Sequence, residues 1–269
     1  MERFERSWRL MVQSYRVLMQ AKELLLLPLI SGVTILAVCA SFIVPMGVFA
    51  SHGHTETSCA MMAAYFAMYV LAYTIGIFFQ AAIVAGASQR LAGTSPTLGS
   101  SLGAAMKRLP SIVAWGLIAG TVGMILRAIQ ERSGLLGKIA ISLLGAAWSL
   151  ATFFVVPVLV LEDRTIGDTF KRSLSIVKAT WGEAVIGGGS IGLVALVFWV
   201  PLIVVVALLA GAGLTIPAIV LGVAGGAAGL VFFNALQSVY LASLYRYAST
   251  GEAPAGYSAD DFSQAFRRK

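Results

Sequence analysis

Ionisable side chains are scarce in this sequence, and the scarcity narrows its chemistry first. The 269 residues include 2 cysteines, Cys39 and Cys59, and 2 histidines, His52 and His54. Two separated cysteines make neither a redox motif nor a disulfide framework. His52 and His54 form an H-x-H near Glu56 and Cys59, but four convincing ligands and an activated-water partner are missing, so no metal or cofactor is expected. Both histidines fall in a short loop, which excludes a Ser and His dyad inside the bilayer. No phosphate-binding loop, nucleophile elbow, zinc-protease helix or dinucleotide fingerprint occurs in a usable context. Enzymatic activity is not expected.

Charge is equally sparse, at 12% of residues against 58% hydrophobic, with a mean hydropathy of +0.87. That balance is too apolar for an aqueous globule of this length. A span needs about 20 apolar residues to cross the hydrocarbon layer. Six windows satisfy this, at residues 24–50, 59–87, 109–126, 139–161, 184–210 and 216–241, and none contains Asp, Glu, Lys or Arg. Such continuous runs predict helices instead of barrel strands. The first run is too long for a secretory leader and is expected to stay as a span. Ion-coupled carriers retain an ionisable group near the midplane, and these windows hold none there, leaving Gln80, Thr121, Ser149, Ser190, Asn234 and Gln237 as polar candidates.

What basic charge there is lies on one side. Arg3, Arg6, Arg9, Arg16, Lys22, Arg90, Lys107, Arg108, Arg164, Lys171, Arg172, Lys178, Arg246, Arg267, Arg268 and Lys269 flank the odd entrances, leaving Arg127, Arg132 and Lys138 opposite. The positive-inside rule then places both termini in the cytoplasm. The formal +7 charge reads as a topology signal and as attraction to anionic lipid headgroups, not to nucleic acid.

A repeat organises the chain. Phe4, Arg6, Ser7, Leu10, Met11, Ser14 and Tyr15 recur at identical spacing as Phe170, Arg172, Ser173, Ile176, Val177, Thr180 and Trp181. A weaker middle copy pairs Thr97-Leu98-Gly99 with Thr165-Ile166-Gly167, and Trp115-Gly116 with Trp181-Gly182. The expected unit is an amphipathic cytoplasmic helix followed by a transmembrane hairpin. Three parallel units, 1–88, 89–161 and 162–248, make one all-α polytopic bundle, with 249–269 as a flexible cytoplasmic tail. In the first such helix, Phe4, Trp8, Met11, Tyr15 and Met19 form the stripe expected to enter the acyl boundary.

Two candidate sites stand out. Pro157 should bend the fourth span near its cytoplasmic end, where Glu162 and Asp163 emerge with Lys171, Arg172 and Trp181 following. This cluster reads either as a salt-bridged topological anchor or as a cytoplasmic gate or docking point. Asn234 and Gln237 share a helix face and, with Gln80, either line a polar path or bond across helices. Gly222, Gly226, Gly225 and Gly229 form overlapping G-x-x-x-G patterns and Gly116-x-x-x-Gly120 another, suited to packing within the chain or to a homodimer. Gly187-Gly188-Gly189 and Pro201 should loosen the fifth span.

The stretch Phe4-x-Arg6-Ser7-Trp8 with Lys22-Glu23-Leu24-Leu25 and Pro28, together with Pro157 through Glu162-Asp163 and Lys171-Arg172-Ser173 to Thr180-Trp181-Gly182-Glu183, resembles an uncharacterised bacterial integral-membrane family, a domain of unknown function, along nearly the whole chain. More distantly it is similar to the membrane domain attached to some glycerophosphodiester phosphodiesterases, which is not their catalytic part. The resemblance implies a bacterial inner-membrane protein and supplies no active residue. The expected role is non-enzymatic: binding or passing a small solute or lipid through the bundle, with a scaffold that recruits partner proteins as the alternative. Impermeant labelling of intact cells should reach residues 51 to 58 from outside; a cytosolic location for them overturns the orientation.

Overall fold

The structure, a computed structural model, describes the backbone of residues 2–51, 59–254 and 256–257, and the side chains of 8–48, 60–178, 191–254 and 256–257. Among the described residues there is no strand. The helices are α1 (Glu2–Gln20), α2 (Leu26–Ser51), α3 (Cys59–Leu91), α4 (Leu98–Lys107), α5 (Leu109–Arg132), α6 (Leu135–Ala151), α7 (Val155–Leu161), α8 (Ile166–Gly211) and α9 (Thr215–Thr250), with a single 3-10 turn at Lys22–Leu25. Among the described residues, six segments are long and apolar enough to cross a membrane: Lys22–Val48, Ala60–Leu91, Leu109–Arg132, Leu135–Leu161, Ile191–Gly211 and Thr215–Thr250. The chain is an all-α polytopic membrane bundle.

The spans are apolar on every face because lipid, not water, surrounds them. Leu36, Val197 and Ile216 illustrate the outward surface, each more than two-thirds exposed. The buried core gathers at one end. There Leu10, Leu18, Leu24, Leu27, Ala81 to Val84, Phe154, Val158 and Val239 to Leu244 are shielded. α3 is the central post, touching α2, α4, α5, α7 and α9, while α1 lies across α8 and α9.

Glycines set the closest helix approaches. A Cβ at Gly116 would lie 3.2 Å from the Thr74 Cα, so α5 rests almost backbone to backbone on α3 there, while one at Gly123 would meet the tip of the Tyr69 side chain, 2.9 Å from its hydroxyl. In α9, a Cβ at Gly225 would meet Leu202 at 2.8 Å and one at Gly229 would collide with Phe198 of α8. The G-x-x-x-G rows are thus filled by neighbours within the chain.

Four expectations are corrected. The buried stripe of α1 is Leu10, Met11, Ser14, Val17 and Leu18, which docks on α8 and α9, so Met11 is turned inward, away from the stripe in which Trp8 and Tyr15 stay nearly half exposed. Phe4, Arg6 and Ser7 lie outside the residues with described side chains. The third leading helix is not separate: α8 runs unbroken through Gly187 to Gly189 and Pro201, since helix in or near hydrocarbon keeps its carbonyls satisfied. The fourth span breaks at Thr152 to Phe154, ahead of Pro157, which then sits in the first turn of α7 where a missing N–H goes unused. Ser173 closes that break. Its hydroxyl accepts from the Phe154 N–H at 3.2 Å and donates to the Ala151 carbonyl at 2.8 Å.

The fourth concerns the start of the tail. α9 continues to Thr250 and stops at Gly251, whose φ of 74° is the left-handed conformation glycine favours. Tyr257 then folds back onto α1, its hydroxyl 2.6 Å from the Ser14 Oγ and hydrogen-bonded to Ser243. Burial pushes its pKa up to about 12, against the opposing pull of the two serines. Residues 258–269, with Phe262 and Phe266, lie outside the described residues.

The glycine contacts generate a paired test. Gly116→Leu should destabilise the detergent-solubilised protein by about 1–3 kcal/mol, whereas Gly145→Leu, with nothing within 4 Å of its Cβ, should leave the melting temperature nearly unchanged.

Candidate functional site

Two adjoining cavities open along α3 and α9. The larger, about 480 Å³, lies between α2, α3 and α9 and is walled mainly by Pro28, Leu36, Phe79, Leu230 and Val231. The smaller, about 330 Å³, is lined by Tyr73, Gln80, Asn234, Gln237 and Ser238. Gly76, Gln80 and Asn234 belong to both. One chamber is greasy and the other polar, and two carboxamides stand where they meet.

The structure therefore brings Gln80, Asn234 and Gln237 together. It does not pair them. Among the described residues no hydrogen bond engages their side chains, so the interhelical bonds expected of Asn234 and Gln237 are not made; both are exposed to the cavities. A polar group left unpaired in an apolar medium costs roughly 2–7 kcal/mol, so all three amides favour a polar occupant. Sequence reading missed Tyr73 and Gly76. The signal was present: Tyr73, Gly76 and Gln80 follow one another at helical spacing on one face of α3. Past Gln80 in sequence, Ala81, Ala82 and Ile83 are buried, and past Ser238 so are Val239 and Tyr240.

The second candidate lies where α7 ends. Glu162, only 17% exposed at its side chain, is surrounded by donors. Its Oε1 accepts from the Tyr245 hydroxyl at 2.6 Å and from the Arg172 Nε at 3.3 Å, and its Oε2 is paired with Arg164. Burial alone would raise its pKa, but the hydrogen bonds from Tyr245, Arg164 and Arg172 outweigh it and hold the carboxyl below its ordinary range. The expected Glu162–Arg172 pair is present.

The rest of the expected cluster disperses. Asp163 pairs with Arg108 at the start of α5, and Lys171 reaches only Asp168, 3.8 Å away on its own helix. The side chain of Trp181 lies outside the described residues. Tyr245, Arg108 and Arg164 were missed. An aromatic residue near the end of a span reads from sequence as an interfacial anchor, which hides its role as a donor to a carboxylate 83 residues away. Chemically the knot is a fastener: it binds the α7–α8 turn to α9, and Arg108 adds α5.

Among the described residues no three His, Cys, Asp or Glu side chains gather as metal ligands. His52, His54 and Glu56 lie outside those residues. Cys39 is a free, half-buried thiol.

Residues 59–255 match DUF6159, a family of unknown function. The chain belongs to this family. No curated protein and no solved structure matches. The family match opens at α3 and includes Gln80, Arg108, Glu162, Asn234, Gln237 and Tyr245, leaving α1 and α2 outside it. It meets the expected kinship with an unknown-function family, and nothing matched supports the more distant likeness to the phosphodiesterase-linked membrane domain.

Removing the Tyr245 hydroxyl deprives Glu162 of one charge-assisted hydrogen bond. Tyr245→Phe should cost about 1.5–3 kcal/mol, read by thermal unfolding in detergent. Because the folded pKa of Glu162 is depressed, its contribution is present at neutral pH and lost as pH falls through that lowered value. Glu162→Gln should accordingly flatten the acid limb of the stability profile.

Proposed function

We propose that this chain binds an amphiphile, a lipid or lipid-like molecule, inside its helical bundle. The tail occupies the greasy chamber between α2, α3 and α9, and the polar head meets Gln80, Asn234 and Gln237. The single observation that carries this reading is the wall common to both chambers, where unpaired amides adjoin an apolar space of about 480 Å³. An ordinary solute would leave the larger chamber to lipid or vacuum; an amphiphile matches both.

Binding is favoured over passage because the segments that follow the amides, Ala81 to Val84 on α3 and Val239 to Leu244 on α9, are buried in the core and line neither chamber. The reading is non-catalytic: amides and hydroxyls bind and orient, and none of them supplies a general acid or base near neutral pH. A bacterial inner membrane with both termini cytoplasmic is the setting that the basic flanks support. The rival role, a scaffold joined through its glycine rows, draws less support because α3 and α8 already occupy those rows.

The test fills the chamber without disturbing its frame. A Cβ at Gly76 meets nothing within 4 Å, so Gly76→Leu should fold normally and abolish retention of amphiphile measured by native mass spectrometry. Asn234→Leu and Gln80→Leu should each weaken binding of a fluorescent lysophospholipid by about 3- to 30-fold, the worth of one polar contact of about 0.6–2 kcal/mol. Unchanged retention and affinity in Gly76→Leu would falsify the reading.

A further inference from the structure

A third cavity, about 460 Å³, lies far from the amides, between the end of α3, the outward face of α4, and α7. Its construction can be followed from the sequence. Thr97 and Ser100 cap α4 reciprocally, the Ser100 N–H reaching the Thr97 Oγ1 at 3.1 Å and the Thr97 N–H reaching the Ser100 Oγ at 3.0 Å. With Ser101 and Ala105 buried, the opposite side of α4, made of Ser100, Gly103, Ala104 and Lys107, is turned to the cavity at helical spacings of three and four. Gly103 and Ala104 keep the floor low.

The polar groups around this floor are mostly donors. The Ser100 hydroxyl lies 2.8 Å from the Gln89 Oε1 and 3.0 Å from the Thr97 carbonyl, the two acceptors its proton can serve, and the amide N–H groups of Gln89 have no partner among the described residues. Lys107 makes no ion pair or hydrogen bond among the described residues. Arg108 completes the set, its side chain 28% exposed and its guanidinium held by Asp163, whose side chain is 89% exposed. An exposed pair of this kind contributes little stability, so Asp163 is easily displaced. The cytoplasmic bias of basic residues explains why Lys107 and Arg108 lie on this side of the membrane, but not why they share a recess with an amide donor.

We propose that this recess is a phosphoryl-binding site, in which Asp163 holds Arg108 until a phosphate oxygen replaces it. Lys107 supplies a point charge, Arg108 a planar fork and Gln89 a neutral donor, a combination suited to a tetrahedral oxyanion. Arg108 immediately precedes the span Leu109–Arg132 and Gln89 lies near the end of Ala60–Leu91, so the phosphoryl group comes either from an anionic lipid at the bilayer surface or from a molecule in the adjoining water. The site is independent of the amphiphile chamber, and neither proposal depends on the other.

The full chain in zwitterionic nanodiscs is titrated calorimetrically with inorganic phosphate, and in parallel the chain from nanodiscs containing phosphatidic acid is examined by native mass spectrometry. Phosphate binding assigns a water-borne source; retention of phosphatidic acid alone assigns the lipid. In whichever arm binds, Lys107→Gln should weaken affinity about fivefold, and Gly103→Met, whose Cβ meets nothing within 4 Å, should abolish binding with unchanged melting. Asp163→Asn, by releasing Arg108, should strengthen it about two- to fivefold. Lys178→Gln, removing a cation elsewhere on the basic flank, should leave it unchanged. The proposal is overturned by binding in neither arm, by full affinity in Lys107→Gln and Gly103→Met, by an equal loss in Lys178→Gln, or by weaker binding in Asp163→Asn.

Discussion

Hydrocarbon offers no partner to an N–H or a carbonyl, and every other feature of this chain accommodates that constraint. Five of the six spans meet it with uninterrupted helix through their apolar windows. The fourth does not, and its interruption is the most heavily braced point of the molecule. Ser173 satisfies both sides of the break from the neighbouring helix, while Phe154 is entirely buried beside it. A few residues on, Glu162 gathers Tyr245, Arg164 and Arg172. The break is tolerable because α8 and α9 replace what the helix gives up.

That bracing divides the bundle into unlike ends. Around α1, α7, the first turns of α8 and the last turns of α9, side chains interlock as they do in a water-soluble core. Farther along, the helices present apolar surface outward and touch mainly through glycine. Chambers occur between these regimes, where α2, α3 and α9 have begun to separate but amides still project between them. The proposed amphiphile site thus lies where the interlocked end gives way to the more exposed helices.

Much of the architecture was legible because lipid imposes a simple rule on sequence. Windows without charge coincided with spans, and the Gly116 and Gly229 patterns marked close packing correctly. Gln80, Asn234 and Gln237 were recognisable as rare polar groups among apolar neighbours. Their lack of partners was not, since bonding depends on side-chain placement across α3 and α9. On α1, Trp8 and Tyr15 stay nearly half exposed as a boundary face would, but Met11 is buried, because hydrophobic spacing alone cannot tell a helix face that meets lipid from one that docks on α8 and α9. Tyr245 and Arg108 reach Glu162 and Asp163 over long separations in sequence, and no local spacing announces such encounters.

The continuity of α8 has a mechanical consequence. At 1.5 Å per residue, its 46 residues form a rod about 69 Å long, clasped near one tip by Ser173 and Arg172 and joined at the other to α9 through a turn at Gly213. A tilt of about 5° about the clasp sweeps the distant tip, about 57 Å away, through about 5 Å. Small disturbances at the clasped end are thereby levered into larger displacements at the far end of the helix, with no break in α8 between them to absorb the motion.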